Sequence, residues 1–262
     1  MKNLLIAVLL VISTTANAQI VWINNLDLAK KVASESNQFI VMDFWATWCG
    51  PCKVMDKDMW SNPIINTVSD KFIAVKIDVD HNRDLAIRYQ ATSIPKVVVI
   101  DPAGNIIWDQ VGYSSSQPYM TIFEALPANI ASQSTMHRAL IENDNMDDWE
   151  EIATAYQKLG RDNSSEKLNR GFLDISDRYF KQVIKSSKDE QRAYLANLNM
   201  ILNDAYRGKS KSALKQLSKL ENDNSELTNY IKAYCYMCNG ETEEMKKYKR
   251  LISNPDLLAQ LK

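Results

Sequence analysis

The spacing of apolar residues changes character once along the chain. From residue 20 to residue 126, apolar runs of strand length alternate with stretches of helical period: 20–23, 39–46, 73–78, 96–100 and 106–111 read as strands, and 26–36, 51–59, 84–89 and 118–126 as helices. Asp101-Pro102-Ala103-Gly104-Asn105 supplies turn residues between the last two strands. After Pro127 the strand pattern stops. Trp149, Ile152, Ala153, Tyr156 and Leu159 keep one helical face, as do Leu168, Phe172, Ile175 and Tyr179, and then Leu195, Leu198, Ile201, Leu202 and Ala205. The alternation predicts an α/β unit over 19–131, and the helical spacing predicts an all-α unit of helical hairpins over 132–262. A chain of 262 residues has room for both.

The candidate chemistry sits at one strand-to-helix junction, Trp45-Ala46-Thr47-Trp48-Cys49-Gly50-Pro51-Cys52-Lys53. A helix starting near Pro51 directs its unpaired N–H groups and the positive end of its dipole at the Cys49 sulfur, which favours thiolate, the attacking species in disulfide exchange. Pro51 suits the first helical turn, where its missing N–H has no partner to lose. Cys49 is therefore expected to be the more exposed and more acidic thiol, with Cys52 shielded one turn inward. Paired Cys-x-x-Cys units also occur in zinc sites, and Cys235 and Cys238 form a second pair. The redox reading is preferred because zinc knuckles are usually short polar loops, whereas this motif lies between a buried-strand pattern and an amphipathic helix. A purely structural disulfide would close only a tiny loop and constrain the unfolded chain little. Asp43, an acid within an otherwise apolar strand, is expected to be desolvated and to hold its proton to higher pH than a free carboxyl.

The segment Val41-Met42-Asp43-Phe44-Trp45-Ala46-x-Trp48-Cys49-Gly50-Pro51-Cys52-Lys53 resembles the active-site segment of thioredoxins, and the likeness extends over roughly residues 20 to 130. Ile94-Pro95 lies where the family's cis-proline falls, 46 residues after Cys49; Phe72 to Asp78 resembles the preceding strand, and Gly112 the glycine that lines the family's substrate groove. The resemblance implies a thioredoxin fold with a central mixed sheet, and catalysis by Cys49 and Cys52 with no metal or organic cofactor. Asp43 is implied as the proton acceptor for Cys52 when the mixed disulfide is resolved, and Lys76 as its neighbour; a structural buried acid and a snorkelling lysine are the other readings. A cis bond at Pro95 would leave the Ile94 backbone free to pair with an extended substrate, and Trp48 would add apolar docking area beside the reactive sulfur. Pro95 also reads as a strand-entry proline, and Trp48 as partly buried aromatic surface. The chain departs from ordinary thioredoxins after the motif: helix 51–59 lacks the mid-helix proline usual in that family, and Ser61-Asn62-Pro63 reads as a break with a fresh cap. Met55, Met59-Trp60 and Asn62-Pro63 are more similar to the thioredoxin-like domains of exported disulfide reductases.

Residues 1–18 carry one lysine, an apolar run from Leu4 to Ile12 and the small-residue site Ala16-Asn17-Ala18, which together predict a cleaved signal peptide and a soluble chain in a bacterial periplasm or equivalent space. With 31 basic and 32 acidic residues, overall charge gives no reason to expect nucleic acid as a partner, and no later run has membrane-spanning length. Tyr156-x-x-x-Gly160, Gly208 with Ala213, and Tyr236-x-x-x-Gly240 are similar to the punctuation of tetratricopeptide repeats, although the glycines are 48 and 32 residues apart. Leu227, Ile231, Tyr234 and Cys238 share a helical face, so packing is the expected role of the second cysteine pair. On the preceding helix, Lys211, Lys215 and Lys219 form a solvated stripe opposite Leu214, Leu217 and Leu220. The function expected is reduction of disulfides in exported proteins, with a transmembrane disulfide reductase as electron donor. A redox-sensitive client-binding or scaffold protein is the alternative. Gly-Pro between the cysteines resembles reducing thioredoxins, poised near about −270 mV, against about −120 mV for a strong oxidant.

Overall fold

A computed structural model describes residues 20–130, 146–220 and 224–261. The signal-peptide reading and the division at 131/132 fall outside them. Five strands form one sheet in the order β1-β3-β2-β4-β5: β1 (Trp22–Ile23), β2 (Phe39–Trp45), β3 (Phe72–Asp78), β4 (Lys96–Ile100) and β5 (Ile106–Val111). β1, β3 and β2 run parallel, while β4 and β5 are antiparallel to their neighbours, giving a mixed sheet. β2 lies at the centre because it is apolar at nearly every position and can be covered on both faces.

One face of the sheet takes α1 (Leu26–Ser36) and α3 (Arg83–Arg88) over Ile40, Met42, Phe44, Val98 and Ile100. Asn25 starts α1 by accepting from the Leu28 N–H at 2.8 Å, and Asn37 ends it in a left-handed conformation. The other face takes α2 (Gly50–Met55) and α4 (Gln117–Ala125) over Phe39, Val41, Val97 and Val99.

The helical half continues this second face. It comprises α5 (Met146–Asp162), α6 (Glu166–Ser186), α7 (Glu190–Tyr206), α8 (Ser210–Leu217), α9 (Glu226–Cys238), α10 (Thr242–Lys249) and α11 (Pro255–Ala259). Ile152, Tyr156, Phe172 and Ile175 belong to the same apolar cluster as Phe39, Val99 and Phe123, so one core runs from the sheet into α5 and α6. The rings of Phe172 and Phe39 lie 5.7 Å apart. Gly171 is where α6 meets β5: a Cβ there would lie 1.8 Å from the Ile107 carbonyl oxygen. The Tyr156 hydroxyl donates to Asp101 Oδ2 at 2.8 Å, and Arg178 donates to Asn105. These contacts gather at the β4–β5 hairpin, the end of the sheet away from the Cys-x-x-Cys junction. A separate cluster, built on Leu198, Ile201, Tyr230, Ile231 and Cys235, joins α7 to α11.

Two details differ from the sequence reading. The helix after the cysteines widens into a π turn over Asp56–Trp60, while the fresh cap expected beyond it is present, Asn62 accepting from the Ile64 N–H at 3.0 Å at the start of a 3-10 turn over Pro63–Thr67. On α9, Cys235 is buried and Cys238 exposed, so the buried face is rotated from the one that the spacing of Leu227, Ile231, Tyr234 and Cys238 suggested. Burial pushes the Cys235 thiol up to about 12. The lysine stripe of Lys211, Lys215 and Lys219 is solvent-facing, as expected.

Candidate active site

β2 delivers its chain end at Trp45, and the turn that follows is closed by Cys49 N–H donating to the Ala46 carbonyl at 3.1 Å. Cys49 is the N-cap of α2, its sulfur accepting from the Cys52 N–H at 3.2 Å, and Pro51 occupies the first turn. Cys49 and Cys52 are joined as a disulfide with Cα atoms 5.3 Å apart. In the disulfide form both cysteines are buried, Cys49 3% exposed and Cys52 6%, and neither carries a free thiol. Ala46 packs with both, and Trp45, Val79 and Ile94 close over them.

The Ile94–Pro95 bond is cis. Pro95 is fixed to the neighbouring strand end by the Gly112 N–H, which donates to its carbonyl at 2.8 Å. Gly112 has φ +80, a region that L side chains avoid, and the space where a Cβ would project is open. Its own carbonyl accepts from the Tyr119 hydroxyl, whose pKa burial pushes up to about 12. Trp48 is 66% exposed beside the disulfide, its indole N–H donating to Asp80 Oδ2 at 2.9 Å. Thus Cys49, Cys52, Trp48, Ile94, Pro95 and Gly112 come together at one end of the sheet.

Asp43 and Lys76 lie behind this surface. They are register partners on β2 and β3, which places both side chains on the α2 face. Asp43 is buried, and desolvation raises its pKa to about 7, against the lowering influence of Lys76. Lys76 Nζ is 3.8 Å from Asp43 Oδ2 but makes its closer ion pair with Asp56, and it lies over the rings of Trp22 at 4.9 Å and Trp45 at 5.4 Å. Asp43 Oδ1 and Trp60 Nε1 are both buried without a hydrogen bond of ordinary geometry, and Asp56 adds a second negative charge that raises the Asp43 pKa further. Sequence reasoning missed Asp56. Its available signal was position, four residues after Cys52 and hence one helical turn along the same face.

Among the described residues no cluster of histidine, cysteine and acidic side chains has the makings of a metal site, and no helix is long and apolar enough to cross a membrane. The arrangement defines a class: a thiol-disulfide exchange site in which a capped helix presents two cysteines, a cis-proline loop flanks them and a buried carboxyl stands behind.

Comparison with known proteins places this class in a family. The Thioredoxin-like family model matches residues 21–102. Thioredoxin from Bacillus subtilis is 35% identical over 85 residues, covering 32% of this chain and 79% of the relative. Thioredoxin-T from Drosophila melanogaster is 32% identical over 94 residues, covering 36% of this chain and 58% of the relative, so this chain spans little more than half that protein's length. The solved thioredoxin of Malassezia sympodialis is 31% identical, with 40% of this chain and 91% of that chain covered at a TM-score of 0.34. The chain belongs to the thioredoxin family, whose members are thiol-disulfide oxidoreductases.

Proposed function

We propose that this protein reduces disulfides in exported proteins, within the periplasm or an equivalent compartment. The observation that carries the reading is the Cys49–Cys52 pair at the start of α2, covered by Ile94 of the cis-proline loop and bordered by exposed Trp48. In the reduced enzyme the Cys49 thiolate attacks one sulfur of a substrate disulfide, forming a mixed disulfide and releasing the other substrate sulfur as thiolate. Cys52 then loses its proton to Asp43 and attacks Cys49 Sγ. The mixed disulfide breaks and the second substrate sulfur leaves as thiolate; the two substrate thiolates take up protons from Asp43 and water to give the dithiol, and two electrons have passed from enzyme to substrate. Regeneration requires a dithiol donor, for which a transmembrane disulfide reductase is proposed. Ile94 offers backbone hydrogen bonds to an extended substrate and Trp48 offers apolar contact with little sequence preference.

The direct test is reduction of insulin by the chemically reduced protein, with Cys52→Ser used to trap clients. Turnover by the wild type and accumulation of Cys49-linked mixed disulfides in the variant are the expected results. Client capture in the exported fraction would support the location. A wild type that leaves insulin oxidised and a variant that traps nothing would refute the reductase reading.

A further inference from the structure

Lys96 is the polar start of a strand whose other residues are Val97, Val98, Val99 and Ile100, and it is buried with them. Its side chain is 4% exposed, yet its ammonium has two partners: Asp109 Oδ2 on β5 at 2.7 Å and the Gln90 carbonyl at 3.3 Å. A buried ammonium is costly unless paired and hydrogen-bonded, so its partners mark a specific arrangement.

Those partners enclose the loop that flanks the disulfide. Gln90, at the end of α3, has φ +53, where an L side chain is strained, and Lys96 follows Pro95 directly. The two ends of segment 90–96 are therefore tied by one side chain, with Ile94 between them packed on Cys49 and Cys52. Asp109 fixes the same ammonium to the edge strand, while the Gly112 N–H fixes Pro95 by its carbonyl at 2.8 Å. The register supports this: Lys96 stands opposite Phe44 on one side and Val111 on the other, next to the chain ends Trp45 and Gly112 that frame the site.

We propose that Lys96, held by Asp109, is a positioning residue that sets where the backbone of Ile94 stands against the disulfide, and so governs reaction with extended polypeptide disulfides. Lys96 itself touches neither substrate nor sulfur. The inference rests on the reductase reading above. A polypeptide substrate that adds to Ile94 as a strand needs that backbone placed within hydrogen-bonding distance, and small displacements of a positioning group carry large rate penalties. A small disulfide needs only access to sulfur.

The test compares insulin with dithiobis-nitrobenzoate as substrates for the full-length wild type, Lys96→Met and Asp109→Asn, with thermal melts alongside. Methionine keeps the length and apolar stem of lysine while removing both polar ties. The expected result is a KM for insulin raised about tenfold in Lys96→Met, corresponding to the weight of one or two lost interactions. Asp109→Asn, half-exposed and less disruptive to the fold, should raise it in the same direction by a smaller factor, and the small disulfide should change less than twofold in both. Insulin kinetics equal to the wild type, or equal losses on the two substrates in Asp109→Asn, would overturn the proposal. If Lys96→Met does not fold, Asp109→Asn decides by the same criterion. Failure of the wild type on both substrates would overturn the reductase reading and this inference with it, a result distinct from a wild type that works and variants that match it.

Discussion

Replacing Asp43 by asparagine is expected to make the oxidised protein more stable while making the enzyme slower. Asparagine has nearly the same shape and carries no charge to desolvate, so the buried site keeps its packing. The wild-type carboxyl has its pKa raised from 3.8 to about 7 in the folded chain, with burial as the leading cause. Below pH 4 the carboxyl is protonated in both folded and unfolded chains and contributes no difference. Between pH 4 and 7 the unfolded chain releases the proton that the folded chain retains, so stability falls as pH rises, and above the folded value the penalty is constant. About 3 units at ~1.4 kcal/mol each gives a penalty of about 4 kcal/mol at pH 8. Urea unfolding of the oxidised wild type and Asp43→Asn between pH 4 and 9 measures this directly. The two should agree near pH 4, and the variant should be more stable by 2 to 4 kcal/mol, roughly, at pH 8. Resolution of the mixed disulfide should meanwhile slow at least about tenfold at neutral pH, because a positioned base typically contributes more than that, and the deficit should shrink at higher pH as Cys52 ionises without help. Parallel stability curves, or unchanged resolution at pH 7, would refute the assignment of Asp43 as a buried base.

Three other outcomes follow from the packing. Asp56→Asn removes the closer partner of Lys76, leaving the ammonium free to move onto Asp43 from 3.8 Å; the Asp43 pKa falls, and the pH profile of turnover moves to lower pH by about one unit, as one changed charge neighbour can do. Gly171→Ala drives a methyl group into the Ile107 carbonyl and forces α6 off the sheet, which should lower stability by about 1–3 kcal/mol in urea unfolding, whereas an unchanged midpoint would mean that the helix does not dock there. A chain ended at residue 130 exposes Phe39, Val99 and Phe123 where α5 and α6 now cover them, and is expected to melt well below the full chain in a thermal scan.

The strands, the first helices and the cysteine site were legible in the sequence because each is fixed locally. Helix α1 and strands β4 and β5 coincide with their apolar patterns residue for residue, since period and turn residues such as Asp101 to Asn105 act over a few positions. The Cys49 cap depends on a strand end, a proline and a helix that are contiguous in the chain. Tertiary structure decided what was distant. That Lys76, 3.8 Å from Asp43, makes its closer ion pair with Asp56 depends on packing β3 against α2, which brings together two residues 20 apart in the chain. That Cys49 is covered in the disulfide form depends on Ile94, 45 residues away in the chain. The burial of Cys235 in place of Cys238 depends on which side of α9 meets α7 and α8, because helical spacing gives a face but not the partner that covers it. Likewise the apolar stripe of α6 could be read from Leu168, Phe172, Ile175 and Tyr179, but not that it closes onto β5. The close approach at Gly171, the Phe172 ring against Phe39 and Tyr156 reaching Asp101 in the hairpin join the helical half and the sheet in one core, because burial belongs to pairs of surfaces and a sequence pattern describes one surface at a time.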